Sequence, residues 1–337
     1  MWRAGAGRLM VGRVLVTGAS GFLGGCLTRM LVEAGCEVRA LTREGVSPSL
    51  DGVEVERVVA DVAQARELMK AMEGIEEVYH CDARVSAWAR MESALHQINV
   101  TGTRNLCRAM METGAPRMVY ASSVEAIGVT ADGTPANEGQ AWAASPDVAA
   151  YTATRHQGEL IARDYANSGG EVVIVNPTYM LGPGDHELIS GRLVLEVATR
   201  RATGFPSGGL NVVDVRDVCV GMIRAMERGK AGRRYILGGH NVTYEELFAL
   251  IAEVAGRPRP RVRVPRPVAL AAGALGDLWG GVTGREPTVS RVLARYVGVE
   301  SYYDSSRARD ELDLPRTPLR QTIQDTLEWF REHPEAS

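Results

Sequence analysis

The chain has 337 residues, 45% of them apolar and 23% charged, with a formal net charge of −3. This length holds two domains or one large α/β domain with a cap, and the interspersed charges, without a basic stripe, argue against nucleic-acid binding. Five cysteines outside any CxxC pair (Cys26, Cys36, Cys81, Cys107, Cys219) and six scattered histidines argue against a disulfide framework or a metal site, and fit a reducing, cytoplasmic setting.

Residues 1–12 contain arginine but no apolar h-region, so no secretory signal is read there. Residues 11–16 read as a strand, followed by a glycine-rich turn and a helix through Leu31 and Val32. Further strands are expected at 37–41, 53–59, 77–80, 117–121 and 171–175, with helices at 65–72, 98–111 (ended by Gly114) and 149–165. Strands separated by helices at this spacing predict right-handed βαβ units and a parallel sheet. The strands are apolar nearly throughout, as strands covered on both faces are. After Asn176, proline and glycine punctuate the pattern, although 212–226 and 234–237 again follow the strand–helix pattern of the first half. Residues 239–330 read as helices with Pro-rich joints near 257–267. The longest apolar stretch, 268–282, is broken by Asp277 and several glycines and is too short to span a bilayer. Only Lys70 and Lys230 are lysines among the 38 Lys plus Arg.

Thr17-Gly18-Ala19-Ser20-Gly21-Phe22-Leu23-Gly24 follows the first strand and opens the first helix. A tight strand-to-helix turn needs permissive dihedrals, and a pyrophosphate can approach backbone N–H groups only where no Cβ intervenes. The helix N-terminus then turns its partial positive charge towards the anion. Dinucleotide binding is therefore expected through Thr17, Gly18, Ser20, Gly21, Phe22, Leu23 and Gly24. The predicted fold is α/β: a Rossmann doubly wound parallel sheet with a smaller, discontinuous C-terminal substrate domain. The expected division gives 11–176 plus about 211–237 to the cofactor, and about 177–210 plus 238–330 to the substrate.

The spacing is GxxGxxG, and the motif resembles that of the extended short-chain dehydrogenase/reductases, the NAD-dependent epimerase/dehydratase superfamily. The likeness continues through Asp61-Val62, His80-Cys81-Asp82-Ala83, Asn99-Val100-Thr101-Gly102-Thr103, Ser122-Ser123, Tyr151 with Arg155, Asn176-Pro177 and Gly182-Pro183. The stretches 210–218 and 235–239 are similar to the dihydroflavonol-4-reductase-like branch, including the hopanoid-associated epimerase/reductase group. The resemblance implies an NAD(P)-dependent enzyme that also uses Asp61, Val62, Asp82, Ala83, Tyr151, Arg155 and Pro177 at the cofactor. Asp82 stands where the family has a small residue. The second strand ends in Thr42-Arg43 with no acidic residue for a ribose 2′-OH, and an arginine can pair with a 2′-phosphate. NADP(H) is thus expected ahead of NAD(H), a solvated Arg43 being the alternative.

Tyr151 and Arg155 stand four apart on one predicted helix face. The family pattern, Tyr-x-x-x-Lys, implies Tyr151 as proton donor to a substrate carbonyl, Ser123 as the hydroxyl that polarises it, and Asn99 as support for a water chain. Arg155 departs from the pattern: it keeps the charge that favours a phenolate but cannot relay a proton by its own titration. Working catalysis with Arg155 as electrostatic partner and an altered or lost proton chemistry both remain open. Glu125 matches a carboxylate with an acid/base role in related dehydratases, a partly exposed loop carboxylate being the alternative. His156 is expected off the catalytic face, and His186 is a substrate-pocket candidate.

The expected activity is reduction of a ketone, or oxidation of the alcohol, on a lipophilic or aromatic small molecule of secondary metabolism or sterol type. The 268–282 stretch, Trp88, Trp142, Tyr179 and Met180 would suit an apolar pocket. The alternatives are a nucleotide-sugar epimerase or dehydratase with tightly bound NAD, and a non-catalytic dinucleotide sensor. No integral membrane segment or nucleic-acid partner is expected. The family resemblance implies a homodimer, built on the helices near 99–112 and 151–166.

Overall fold

The structure is a computed structural model that describes residues 12–45, 47–114, 117–142, 149–202 and 204–336. Residues 1–11, where no secretory signal was read, lie outside them. In the first half β1 (Arg13–Thr17), α1 (Phe22–Glu33), β2 (Glu37–Thr42), β3 (Glu56–Val59), α2 (Ala65–Ala71), β4 (Ile75–His80), α3 (Glu92–His96), α4 (Thr103–Thr113), β5 (Arg117–Ala121), α5 (Ala150–Asn167) and β6 (Val172–Pro177) alternate. The second half runs β7 (Tyr179–Leu181), α6 (Gly191–Ala198), β8 (Gly204–Pro206), β9 (Gly209–Asp214), α7 (Val215–Arg228), β10 (Arg234–Leu237), β11 (His240–Thr243), α8 (Tyr244–Val254), β12 (Val262–Val264), α9 (Arg266–Thr283), α10 (Arg291–Arg295), β13 (Glu300–Ser301), α11 (Ser306–Leu312) and α12 (Leu319–Glu332).

Seven parallel strands form the main sheet in the order β10-β6-β5-β4-β1-β2-β3. Both faces are covered. Val14, Val16, Val119, Val173 and Val175 join one core with α1 and α7, while Leu15, Val78, Met118, Val172 and Ile174 join the opposite core. That two-sided burial is why the strands lack a polar alternation. Strand order reverses between β1 and β4, where Thr17 pairs with His80, and ligands of open α/β sheets bind beyond the strand ends at such a point.

Three expectations need correction. The third strand begins at Glu56, not 53, because Val53 closes a turn onto the Leu50 carbonyl. The helix expected at 98–111 starts six residues earlier, as α3, and passes through a π-helical turn, Gln97–Gly102, into α4. The segment 211–214 does not extend the main sheet. It lies in β9, the centre of a second sheet with β7, β11 and β13, and joins the first core through Val213 and the following α7. A third core, built from α6, α8, α12 and these strands, fills the second half.

Candidate active site

The loop after β1 is closed by a Gly21 N–H bond to the Gly18 carbonyl and braced from outside by Ser49, whose hydroxyl donates to the Ser20 carbonyl at 2.8 Å. Gly18 has φ +66°, and a Cβ there would lie 2.6 Å from the Asp82 Cα. At Gly24 a Cβ would lie 2.1 Å from the Gly18 carbonyl oxygen. Packing therefore demands both glycines. Gly21 differs: its would-be Cβ meets only the Gly18 oxygen, at 3.4 Å. It is also the N-cap of α1 and supplies no side-chain cap, so the first-turn N–H groups face outward with no side-chain acceptor. The side chains of Phe22 and Leu23 are buried, which leaves only their backbone to meet an anion.

Around this loop stand the other cofactor candidates. Arg43 is exposed at the end of β2 and makes no hydrogen bond or ion pair among the described residues. Asp61 caps the turn at Ala63, at 2.8 Å. Val62 and Pro177 are buried, and the Val62 carbonyl is taken by Asn105, so neither offers a side chain to a ligand. Ala83 is half-buried. Asp82 is buried, and burial raises its carboxyl to about 6, with Asp61 adding to the rise and Arg43 and Arg155 opposing it.

The catalytic candidates converge from three elements. Ser123 ends the β5 turn, where its hydroxyl accepts the Glu125 N–H at 3.2 Å, and Glu125 in turn accepts from Thr152 beside Tyr151 on the first turn of α5. One turn on, Arg155 is buried, donates to the Ala121 carbonyl and lies 5.7 Å from the Tyr120 ring centroid. Its Nε is buried with no hydrogen-bond partner among the described residues. Burial raises the Tyr151 phenol above its ordinary range. Arg155 opposes this, Glu125 adds to it, and the Ser123 hydroxyl lowers it again. His80 stays neutral: burial, helped by Arg155, pushes it down to about 3, and its Nδ1 is 2.6 Å from Thr17 Oγ1. Arg155 thus acts electrostatically on Tyr151, His80 and Asp82, and so links the helix to the glycine loop.

Asn99 sits on the π-helical turn. Its amide spans the Arg84 carbonyl (3.1 Å) and Thr154 on α5 (3.0 Å), while its oxygen accepts the Arg84 N–H. Its amide nitrogen and oxygen both help to join α5 to the 84 loop. Gly158 permits that approach, since a Cβ there would lie 2.5 Å from the Asn99 carbonyl. Glu125 is half-buried and accepts hydroxyl hydrogens from Thr152 (2.7 Å) and Tyr296 (2.9 Å), so it is no free loop carboxylate.

His156 points away and stacks on Trp142 at 3.9 Å, as expected. His186 packs edge-on against Trp329 on α12. Of the expected apolar pocket wall, Tyr179 bonds the Ser190 carbonyl within the third core, and the large apolar residues of 268–282 other than Leu270 face outward. Sequence reasoning missed Glu159, which is buried and accepts from Ser122 (2.6 Å), Asn176 (2.7 Å) and Arg234 (3.3 Å). It also missed Tyr296. Glu159 could have been found from its place four residues beyond Arg155 on one helix; Tyr296 carries no such local signal.

The NAD dependent epimerase/dehydratase family model matches residues 14–238. A Synechocystis protein provisionally named dihydroflavonol 4-reductase is 35% identical over 324 residues, covering 94% of each chain. Sterol demethylase protein B of Methylococcus capsulatus is 34% identical, covering 94% of this chain and 98% of its own. The crystal structure of a protein designated gox2253 superposes with a TM-score of 0.84 at 30% identity, over 96% of this chain and 99% of that one. The chain belongs to the NAD dependent epimerase/dehydratase family and is an NAD(P)-dependent oxidoreductase of the extended short-chain dehydrogenase/reductase type.

Proposed function

We propose that the enzyme reduces a ketone, or oxidises the corresponding alcohol, of a lipophilic or aromatic small molecule, with Tyr151 as the proton donor. The observation that carries this reading is that the Ser123 turn is tied to the first turn of α5 through Glu125 and Thr152, where Tyr151 stands with the buried Arg155 one turn behind it. Burial keeps the phenol protonated at neutral pH, as a donor requires, and the Arg155 charge favours the phenolate left behind. Ser123 would share the substrate oxygen with Tyr151. A bound nicotinamide supplies or takes the hydride. The residues fit that group: the α1 N-terminus is uncapped by side chains, and Arg155 Nε is a buried donor without a hydrogen-bond partner among the described residues, suited to a ribose hydroxyl. The relatives' names, a dihydroflavonol reductase and a sterol demethylase protein, support a ring-containing apolar substrate. A panel of cyclic ketones, followed at the nicotinamide absorbance, tests the reading. Cofactor binding with no turnover of any ketone would favour the sensor alternative.

NADPH is expected to bind more tightly than NADH, since Arg43 is an exposed guanidinium after β2 with no hydrogen bond or ion pair among the described residues. Arg43→Ala should remove most of the preference, about ten- to a hundredfold for a charge-assisted contact. Equal affinities in the unaltered enzyme would refute this. NADH affinity, free of the titrating 2′-phosphate, should rise as pH falls through about 6, where Asp82 loses its charge beside the loop. Asp82→Asn should flatten that dependence, which calorimetry across pH 5–8 reads; a slope unchanged in the variant would exonerate Asp82. A homodimer through α4 and α5 is supported by the exposed Met111 and Leu160 on those helices. Light scattering at micromolar concentration should give twice the chain mass, and a monomer mass would reject the pairing.

A further inference from the structure

Helix α9 is amphipathic in the wrong sense for a helix of a fully hydrated surface. Its packed face is made of small residues: Ala269, Gly273 and Gly280 are buried, and a Cβ at Gly273 or Gly276 would lie 2.6 Å from the Ser290 or 2.0 Å from the Val289 carbonyl oxygen. The segment returning towards α10 lies directly on these glycines. The large apolar residues recur at i, i+7, i+10, i+11 and i+14 on the outer face: Val268, Leu275, Leu278, Trp279 and Val282 are 56%, 69%, 66%, 50% and 81% exposed. Val289 and Leu293 extend the apolar surface. Asp277, the only acidic residue on the helix, is engaged with Arg291.

The flanks are basic. Arg257, Arg259, Arg261, Arg263 and Arg266 lead into α9, and Arg285, Arg291 and Arg295 follow it; all are exposed. Residues 257–295 hold these eight arginines against Asp277 and Glu286, a net charge of +6 in a chain whose total is −3. No described helix is long and apolar enough to cross a membrane. An outward apolar stripe with a tryptophan and arginine-rich flanks matches a bilayer interface carrying anionic headgroups, in which such a helix lies flat.

We propose that α9 is an interfacial docking helix that seats the enzyme on an anionic membrane surface. The unit it forms with α10 is fastened beside the candidate site: Ser86 donates to Glu286 at 2.6 Å, Arg90 to the Gly281 carbonyl at 3.0 Å, and Tyr296, which caps α10, to Glu125 at 2.9 Å. Docking therefore brings the region of Tyr151 close to the bilayer, where a lipophilic substrate would be dissolved. The surface argument does not depend on the ketone-reductase reading.

The test is sedimentation of the full chain with phosphatidylcholine vesicles, with and without phosphatidylglycerol. Binding is expected with the anionic vesicles and should weaken with salt. Leu275→Ser with Leu278→Ser should lower it by at least about tenfold, and Arg261→Gln with Arg263→Gln should weaken it on anionic vesicles alone. Both pairs are exposed, so melting temperature and NADPH affinity should stay unchanged and show that the variants fold. No binding to anionic vesicles, or binding indifferent to both double variants, overturns the proposal. It is equally overturned if the leucine pair converts a dimer to a monomer, since the face then belongs to a second copy.

Discussion

Gly21→Asp is expected to abolish dinucleotide binding while leaving the fold intact. The three glycines of the loop are required for different reasons. At Gly18 and Gly24 a side chain would collide with the protein's own backbone, with a Cβ at 2.6 Å from Asp82 and 2.1 Å from Gly18. At Gly21 the backbone is in an extended conformation open to any residue, with φ −82° and ψ 174°, and a Cβ meets nothing closer than 3.4 Å. The unliganded protein therefore has room for a side chain at 21, and the loop needs glycine there only if something else approaches. A carboxylate placed at the uncapped N-terminus of α1 would occupy the N–H groups meant for the pyrophosphate and repel it. Juxtaposed like charges cost several kcal/mol, so the affinity loss should exceed about a hundredfold. Calorimetry with NADPH reads the loss, and thermal melting of the same sample should be nearly unchanged. Gly24→Ala is the contrasting control and should lower the melting temperature, because overpacking against fixed backbone costs about 1–3 kcal/mol. Undiminished affinity in Gly21→Asp would remove the loop from the cofactor site.

The features that were legible in the sequence are those set by short spacings. The strand–glycine–helix run, the alternation of apolar strands with helices, and the pair Tyr151 and Arg155 all lie within one or two elements, where local periodicity fixes relative position. What was illegible depends on the return of distant chain. Glu125 reads as a loop carboxylate until Tyr296, 171 positions on, reaches its oxygen. Strand β9 has the apolar pattern of a main-sheet strand, and only its partners β7, β11 and β13 show otherwise. The 268–282 stretch shows a further limit. Periodicity groups Leu275, Leu278 and Val282 on one face, and Gly273, Gly276 and Gly280 on another. Which face is packed depends on how close the returning chain comes, and here it comes so close that only glycine fits. The usual inference from apolar to inward is then reversed.

Tyr151→Phe should cost far more turnover than Arg155→Lys. The phenylalanine keeps the ring but deletes the hydroxyl and with it the proton that would reach the substrate oxygen. General acid–base catalysis is worth about 10²–10⁴-fold, and the loss should appear in kcat with NADPH affinity little changed. Arg155 acts differently. It is buried under Tyr120, holds the Ala121 carbonyl, and influences Tyr151 through its charge. Lysine restores a cation four residues along the same helix face, and an ammonium can keep both the charge and a bond to the carbonyl, so turnover should remain within about tenfold. Because burial raises the phenol and the cation opposes that rise, a more compact charge should move the pH–rate profile even where the maximum rate is kept. Undiminished turnover in Tyr151→Phe would mean another group donates the proton. Glu125 would be the first suspect, although its two hydroxyl donors tie it to positioning, and Glu125→Gln would then decide. An Arg155→Lys enzyme that binds NADPH yet is inactive would assign the guanidinium a role beyond its charge, with the unpartnered Nε the atom to examine.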